Sequence, residues 1–357
     1  MIEFRWCGVE RVAELQAFID EHWKRRHILA RDADLLRWQH PRSAGELSIL
    51  VAQEKGEMLG ILGIVPADCG FYGERRPGAW LTTWVARADA RDRHVGLALL
   101  RSVIDETDGL VATIGGNATT MRILGVMGFS LIPAVPRWVL PGSRDALRGL
   151  LGAMTADVVR VSPRARANAG APGYAVVDWH ERHAAAWDRA WSERFAPRLV
   201  GTWRDAAYLR WRYLEHPRFR YEVRLATRDG EVSGLLVYRR QRVQDRSEEV
   251  VRIVELLAVD DAAHALLEAV VDGAMEPSTA LADFYCTSTS LAAPLRAAGF
   301  HDAEHLGVPI PGLFQPLDQG RTALTGAFWA PARWGVEPFV GDDAYVTRSD
   351  CDQDRPN

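Results

Sequence analysis

The residues with the sharpest chemical meaning lie in one run, Trp84-Val85-Ala86-Arg87-Ala88-Asp89-Ala90-Arg91-Asp92-Arg93-His94-Val95-Gly96-Leu97-Ala98-Leu99-Leu100. Within it, Arg93, Gly96 and Ala98 have the spacing Arg-x-x-Gly-x-Ala, between an apolar strand candidate and an amphipathic stretch. A small residue at a helix start lets a ligand approach the backbone. The first-turn amides have no partner inside the helix, and the helix terminus is positive, so together they cradle a pyrophosphate. Arg93 adds a charge-assisted contact. A sharp turn opening an ordinary helix has the same spacing, so the pattern alone leaves both readings open.

The elements that must position this loop form an internal repeat. Asp34-Leu35-Leu36-Arg37-Trp38-Gln39-His40-Pro41 has a partner in Ala207-Tyr208-Leu209-Arg210-Trp211-Arg212-Tyr213-Leu214-Glu215-His216-Pro217. Both copies place Leu-Arg-Trp before His-Pro, and the second has three extra residues between them. Each runs into a strand, a Gly-containing turn and a second strand: 47–52 and 58–65 in one half, 221–226 and 232–238 in the other. This pattern reads as a β-hairpin. In the first half a strand over 79–85, a helix over 96–106, a strand over 110–114 and a helix over 119–127 follow, ending at Gly128-Phe129. In the second half the same order spans 250–259, 262–271, 281–285 and 291–298, ending at Gly299-Phe300. Glycine after a helix is a C-cap. Opening helices are expected over 9–27 and 179–195.

The order predicts an α/β protein of two similar domains, each a mixed twisted sheet flanked by helices. The domains are set at 1–140 and 174–315, with a linker at 141–173 and a C-terminal tail at 316–357. The Ala-, Gly- and Arg-rich stretch 164–173 marks the linker. Phe328-Trp329 and Trp334 equip the tail to pack back on a domain, and the polar end 349–357 reads as frayed.

Composition narrows the partners. The 357 residues carry 43 basic and 47 acidic side chains, a net charge of −4, so nothing draws the whole chain to nucleic acid or an anionic membrane. Lys24 and Lys55 are the two lysines, which leaves arginine to carry the positive charge. The four cysteines, Cys7, Cys69, Cys286 and Cys351, are too scattered for a metal cluster and suit a reducing compartment. No basic-then-apolar leader opens the sequence and no apolar run reaches the ~20 residues of a membrane span. A cytoplasmic protein is expected, with no metal and no membrane span; a homodimer stays open.

The loop, in its strand–helix setting, resembles the GCN5-related N-acetyltransferase (GNAT) superfamily. That family's acyl-CoA signature is Gln/Arg-x-x-Gly-x-Gly/Ala, matched by Arg93, Gly96 and Ala98. The later Asn117, Gly128 and Phe129 fit the family's order, and the hairpin at 58–65 resembles its second and third strands. The resemblance covers most of 1–140 and, more faintly, 174–315. It implies acetyl-CoA or another short acyl-CoA as donor, bound by Arg93, His94, Val95, Gly96, Leu97 and Ala98. Trp84 and Val85 would flank the pantetheine, and Asn117 would orient it or a water, unless Asn117 is only a helix cap. The second copy departs at Asp260-Asp261-Ala262-Ala263-His264-Ala265, where two acids would repel a pyrophosphate. The donor is therefore expected in the first domain only.

The implied reaction is acyl transfer to an amine. The family's frequent Tyr acid falls on Leu124, which donates no proton. Base candidates are Asp68, in Pro66-Ala67-Asp68-Cys69, and the polar pair Asp283 and Tyr285 on an apolar strand; a solvated loop acid and a core network are the alternatives. The repetition of His40 and His216 points to structure. Cys69 lacks the His and Asp partners of a nucleophile. Arg37-Trp38 and Arg210-Trp211-Arg212 either pack a helix or hold anionic groups. The leading function is an N-acyltransferase on a small primary amine, with an amino sugar of surface polysaccharide as the first choice of acceptor. The alternatives are an acyl-CoA sensor or scaffold without turnover, and a Fem-like aminoacyltransferase.

Overall fold

The structure is a computed structural model that describes residues 1–43, 45–159, 173–318, 323–335 and 342–354. Two seven-stranded mixed sheets dominate it, each flanked by helices. In the first, the strands Glu3–Gly8, Glu46–Glu54, Glu57–Pro66 and Gly78–Ala86 are antiparallel neighbours, and Leu110–Ile114 joins parallel to the last. The second repeats this with Ala175–Asp178, Glu222–Arg228, Glu231–Arg242, Glu249–Ala258 and the parallel Thr279–Tyr285. The hairpins, parallel strands and crossover helices Val95–Thr107 and Ala262–Gly273 stand where the repeat predicts them. Their apolar residues bury into one core per sheet, with further apolar clusters where the helices and the two units pack.

Near the far edge of each sheet the units exchange strands. Arg137–Pro141 leaves the first unit and lies in the second sheet, between Thr279–Tyr285 and His301–Asp302. Gly326–Trp329, from the tail, returns to the first sheet between Leu110–Ile114 and Ser130–Ile132. Each sheet is thus completed by a strand from the other half of the chain. A small four-stranded sheet also joins the halves, pairing Val200–Thr202 with Cys69–Phe71 on one side and Ala344–Tyr345 on the other. The linker stretch 164–173 lies, but for Gly173, outside the described residues.

The repeated Leu-Arg-Trp motif meets itself across the interface. Trp38 Nε1 donates to the Trp211 carbonyl at 3.1 Å, and Trp211 Nε1 to the Trp38 carbonyl at 3.2 Å. The rings stack with centroids 5.5 Å apart. Asp32 and Asp205 cap the two motif helices by accepting from Leu35 N and Tyr208 N. The three extra residues of the second copy are accommodated where its helix widens into a π-turn over Arg210–Leu214. Arg37 is exposed beside Asp34, but Arg212 is buried and donates to the Ser349 and Cys351 carbonyls.

That contact overturns the frayed end read from 349–357. Over the described part, Ser349, Asp350, Cys351, Asp352 and Asp354 are buried. Arg204 grips Asp350 at 2.6 Å, and Arg239 grips Asp354 at 2.9 Å. A polar segment is stable in an interior when distant side chains satisfy its charges, and here arginines of the second unit do so.

Candidate functional site

The parallel strand pair of each unit opens into a cleft. In the first, pairing covers Gly78–Trp80 with Leu110–Ala112 and stops there. The register of Gly78–Ala86 against Glu57–Pro66 then slips, so that Gly63 faces the extra residues Thr82 and Thr83. The hydroxyls of Thr82 and Thr83 are buried and lack hydrogen-bond partners among the described residues. A bulge re-aims backbone and side chains, and these open edges are what a ligand between the strands would meet.

The loop Arg93–Ala98 follows this strand. A short 3-10 turn over Ala88–Arg93 leads to His94, in left-handed conformation at φ 56°, and the helix begins at Val95. His94 gives no side-chain cap, so the first-turn amides stay available. Val95 is buried and anchors the turn, while Leu97 and Ala98 are half-buried. Trp84 lies over Gly96, its Nε1 donating to the Gly96 carbonyl at 3.1 Å. A Cβ on Gly96 would come within 3.3 Å of that nitrogen, so glycine sets the contact. Val85 points instead into the core under the N-terminal helices. Arg93 makes a two-pronged bond to Glu54, at 3.1 and 2.9 Å, and with the N-terminal ammonium holds that carboxyl down to about 2. Its side chain is 42% exposed, so a phosphate can compete for it.

The other sequence candidates do not gather at this loop. Asp68 sits beyond the opposite end of the central strand, with Arg75 bonded to it at 2.6 Å and to Asp205 at 3.0 Å. Asn117 caps the helix Ala118–Val126 by accepting from Thr120 N at 2.9 Å. Asp283 is buried in the second sheet against Arg137, at 2.7 Å, and Arg252. Tyr285 lies beside it, 5.1 Å from the guanidiniums of Arg137 and Arg348. Leu124 is fully buried. Burial pushes the Cys69 thiol far above its usual range, which removes the thiolate a nucleophile needs.

Sequence reasoning missed the buried end of the chain. Cys351 Sγ donates to the Leu81 carbonyl at 3.2 Å, at the root of the first cleft. Gln353 packs on Gly115, beyond the opposing strand, so closely that a Cβ there would meet its side chain at 2.3 Å. Asp352 lies between these two contacts, its Oδ1 accepting from Gln353 Nε2.

The second cleft has the same frame and a different content. Pairing of Glu249–Ala258 with Thr279–Tyr285 ends at Ile253 and Phe284, and a bulge again follows. Here Tyr345 fills the opening: its hydroxyl accepts from Leu256 N at 2.9 Å and donates to Glu255 Oε2 at 2.8 Å. Glu255 Oε1 takes further bonds from Arg204 and Tyr213. A groove of about 380 Å³ remains beside it, with Asp260, Asp342 and Asp343 in its lining next to Arg194 and Arg198. A pyrophosphate would meet those carboxylates, and Tyr345 already occupies the Leu256 amide.

No protein-family model matches the sequence, and no curated protein matches it. Solved structures do. A GCN5-related N-acetyltransferase from Anabaena variabilis aligns with TM-score 0.58 and 11% identity, over 92% of this chain and 72% of that one. One from Kribbella flavida gives 0.53 and 15%, over 92% and 72%. A conserved protein from Enterococcus faecalis, described as a probable N-acyltransferase, gives 0.51 and 12%, over 79% and 65%. At such identities the likeness is one of fold, and the two units are GNAT-like α/β domains. Among the described residues no group of His, Cys, Asp and Glu is arranged to hold a metal, and no helix is long and apolar enough to cross a membrane.

Proposed function

We propose that the protein is an acyl-CoA-dependent N-acyltransferase whose donor site lies in the first unit. The observation that carries this reading is the pairing of strands that part after Trp80 and Ala112 with an uncapped helix start at Val95, while between the matching strands of the second unit Tyr345 occupies the Leu256 amide. The coenzyme pyrophosphate takes the amides of Val95, Gly96 and Leu97, the Ala98 amide being bonded to the His94 carbonyl, with Arg93 released from Glu54 to meet it. Pantetheine runs between the diverging strands, past Trp84. The acceptor is a primary amine, and an amino sugar is our first choice of class. Its nitrogen attacks the thioester carbonyl; the C–N bond forms, the C–S bond breaks, the amine loses a proton and the thiolate gains one. Asp352, beside the root of the cleft, is the carboxylate we assign to accept the amine's proton.

Incubating the purified chain with acetyl-CoA and a panel of amines, with released thiol as readout, tests the reading. Thiol release dependent on one amine class supports it. Tight acetyl-CoA binding with no release across a broad panel favours the sensor reading instead. Asp352→Asn is expected to lower turnover more than coenzyme affinity.

A further inference from the structure

A second feature is built from arginines that the acyl-transfer reading does not use. Arg137, Arg252 and Arg348 are all more than nine-tenths buried. Arg137 and Arg252 share one carboxylate, Asp283. Arg137 and Arg348 each lie 5.1 Å from the ring of Tyr285. Their remaining bonds go to neutral groups: Arg137 to the Ile310 and Pro311 carbonyls, Arg348 to those of Gly312 and Gln353, and Arg252 to Gln241. Arg239 stands nearby with Asp354 as its partner. Among the described residues, and even with Asp352 counted, these four guanidiniums outnumber the three carboxylates Asp283, Asp352 and Asp354.

Several of their donors are unused. Arg137 Nε, Arg252 Nη2 and Arg348 Nη1 are buried without a hydrogen-bond partner. A buried cation short of counter-charge, with idle N–H groups, is costly to keep for structure alone. Guanidinium donors match the oxygens of a phosphate or carboxylate. Of these arginines, Arg137 borders empty space. A cavity of about 590 Å³ lies where the exchanged strand enters the second sheet, and Arg137 and Tyr285 form part of its wall. Val308, Pro309, Ile310 and Leu324 give it an apolar side, while Asp302 and Glu304 stand at the more exposed end. Asp302 is occupied with Glu304 N and His305.

We propose that this cavity is a binding site for a small molecule that carries a phosphate or carboxylate group, with the charged group on Arg137 and the body of the molecule against Val308 and Leu324. The site goes beyond the acyl-donor reading and does not depend on it.

The test uses the purified full chain and two probes, inorganic phosphate and succinate, each titrated by calorimetry at ionic strength held constant with chloride. Saturable binding of at least one probe to the wild type is expected, and the probe that binds assigns the ligand class. Arg137→Gln is expected to weaken it roughly tenfold to a hundredfold, the loss of a hydrogen bond to a charged group. Val308→Trp, which fills the cavity and leaves the arginines in place, is expected to abolish it, so the outcome does not rest on Arg137→Gln folding. Arg5→Gln, on the exposed first strand, is expected to bind as the wild type does. Absence of saturable binding of both probes to the wild type overturns the proposal, as does equal binding by Val308→Trp.

Discussion

The two clefts share a frame and differ in what stands in them. In the first, the buried hydroxyls of Thr82 and Thr83 have no hydrogen-bond partner among the described residues, and the adjoining helix, like its counterpart in the second unit, begins without a side-chain cap. In the second, Tyr345 reaches the Leu256 amide, and Glu255 collects bonds from Arg204, Tyr213, Ser349 and Tyr345. The same backbone frame therefore leaves buried hydroxyls without partners in one unit and builds a hydrogen-bond network around Glu255 in the other. The end of the chain joins them, threading from the second cleft at Tyr345 to the root of the first at Cys351. In the second unit the chain's own Tyr345 fills that space, and the segment that carries it ties the halves together.

The sharpest way to break this comparison is at matched arginines. Arg31 and Arg204 each precede the capping aspartate of the repeated motif. Arg31 is exposed, whereas Arg204 is fully buried between Glu255 and Asp350. Arg204→Met leaves two buried carboxylates unpaired and is expected to cost about 3–5 kcal/mol. Arg31→Met should stay within about 0.5 kcal/mol. Urea denaturation of both variants checks the contrast, and similar losses would dissolve it.

A smaller effect is expected at the seam between the units. The Trp38–Trp211 pair should show a coupling of about 0.5–1.5 kcal/mol in a double-mutant cycle with alanine. Additive single losses would mean that the stacked rings do not hold the halves together.

The mildest effect separates the two histidines of the repeat. His40 is buried and bonded to the Ile64 carbonyl. His216 packs against Trp38 and Phe219, and burial, reinforced by the Arg212 charge, pushes its pKa down to about 3. The folded chain thus keeps His216 neutral, while the unfolded chain protonates it near 6.5. Unfolding takes up a proton between those values, so stability falls as pH drops below about 6.5. The urea midpoint should decline from pH 7 to pH 5, and His216→Asn should flatten that decline. An unchanged slope in the variant would assign the decline to other groups.

The elements were legible because each carries its own period. The hairpins are short apolar runs around a Gly turn, and the crossover helices bury one stripe, so local pattern suffices. The exchange of strands was not legible. Arg137-Trp138-Val139-Leu140-Pro141 and Gly326-Ala327-Phe328-Trp329 read as short buried strands in either sheet, and nothing local chooses between them. Asp350, Asp352 and Asp354 misled for a related reason. Their polarity signals solvent until a partner is known, and Arg204 lies 146 positions from Asp350. At the candidate site the loop Arg93–Ala98 was readable from a glycine and an arginine at fixed spacing. The cleft residues were not, because the contact of Cys351 with Leu81 spans 270 positions.

The central claim, one donor site in a chain with two similar clefts, is tested most directly by titrating acetyl-CoA into the purified protein by calorimetry. The account predicts one site per chain. Gly96→Asp should weaken it strongly by adding bulk and negative charge under Trp84, while the pair Asp260→Asn and Asp261→Asn should leave it unchanged. Two sites per chain, or a single site that survives Gly96→Asp and responds to Asp260→Asn, would contradict the account.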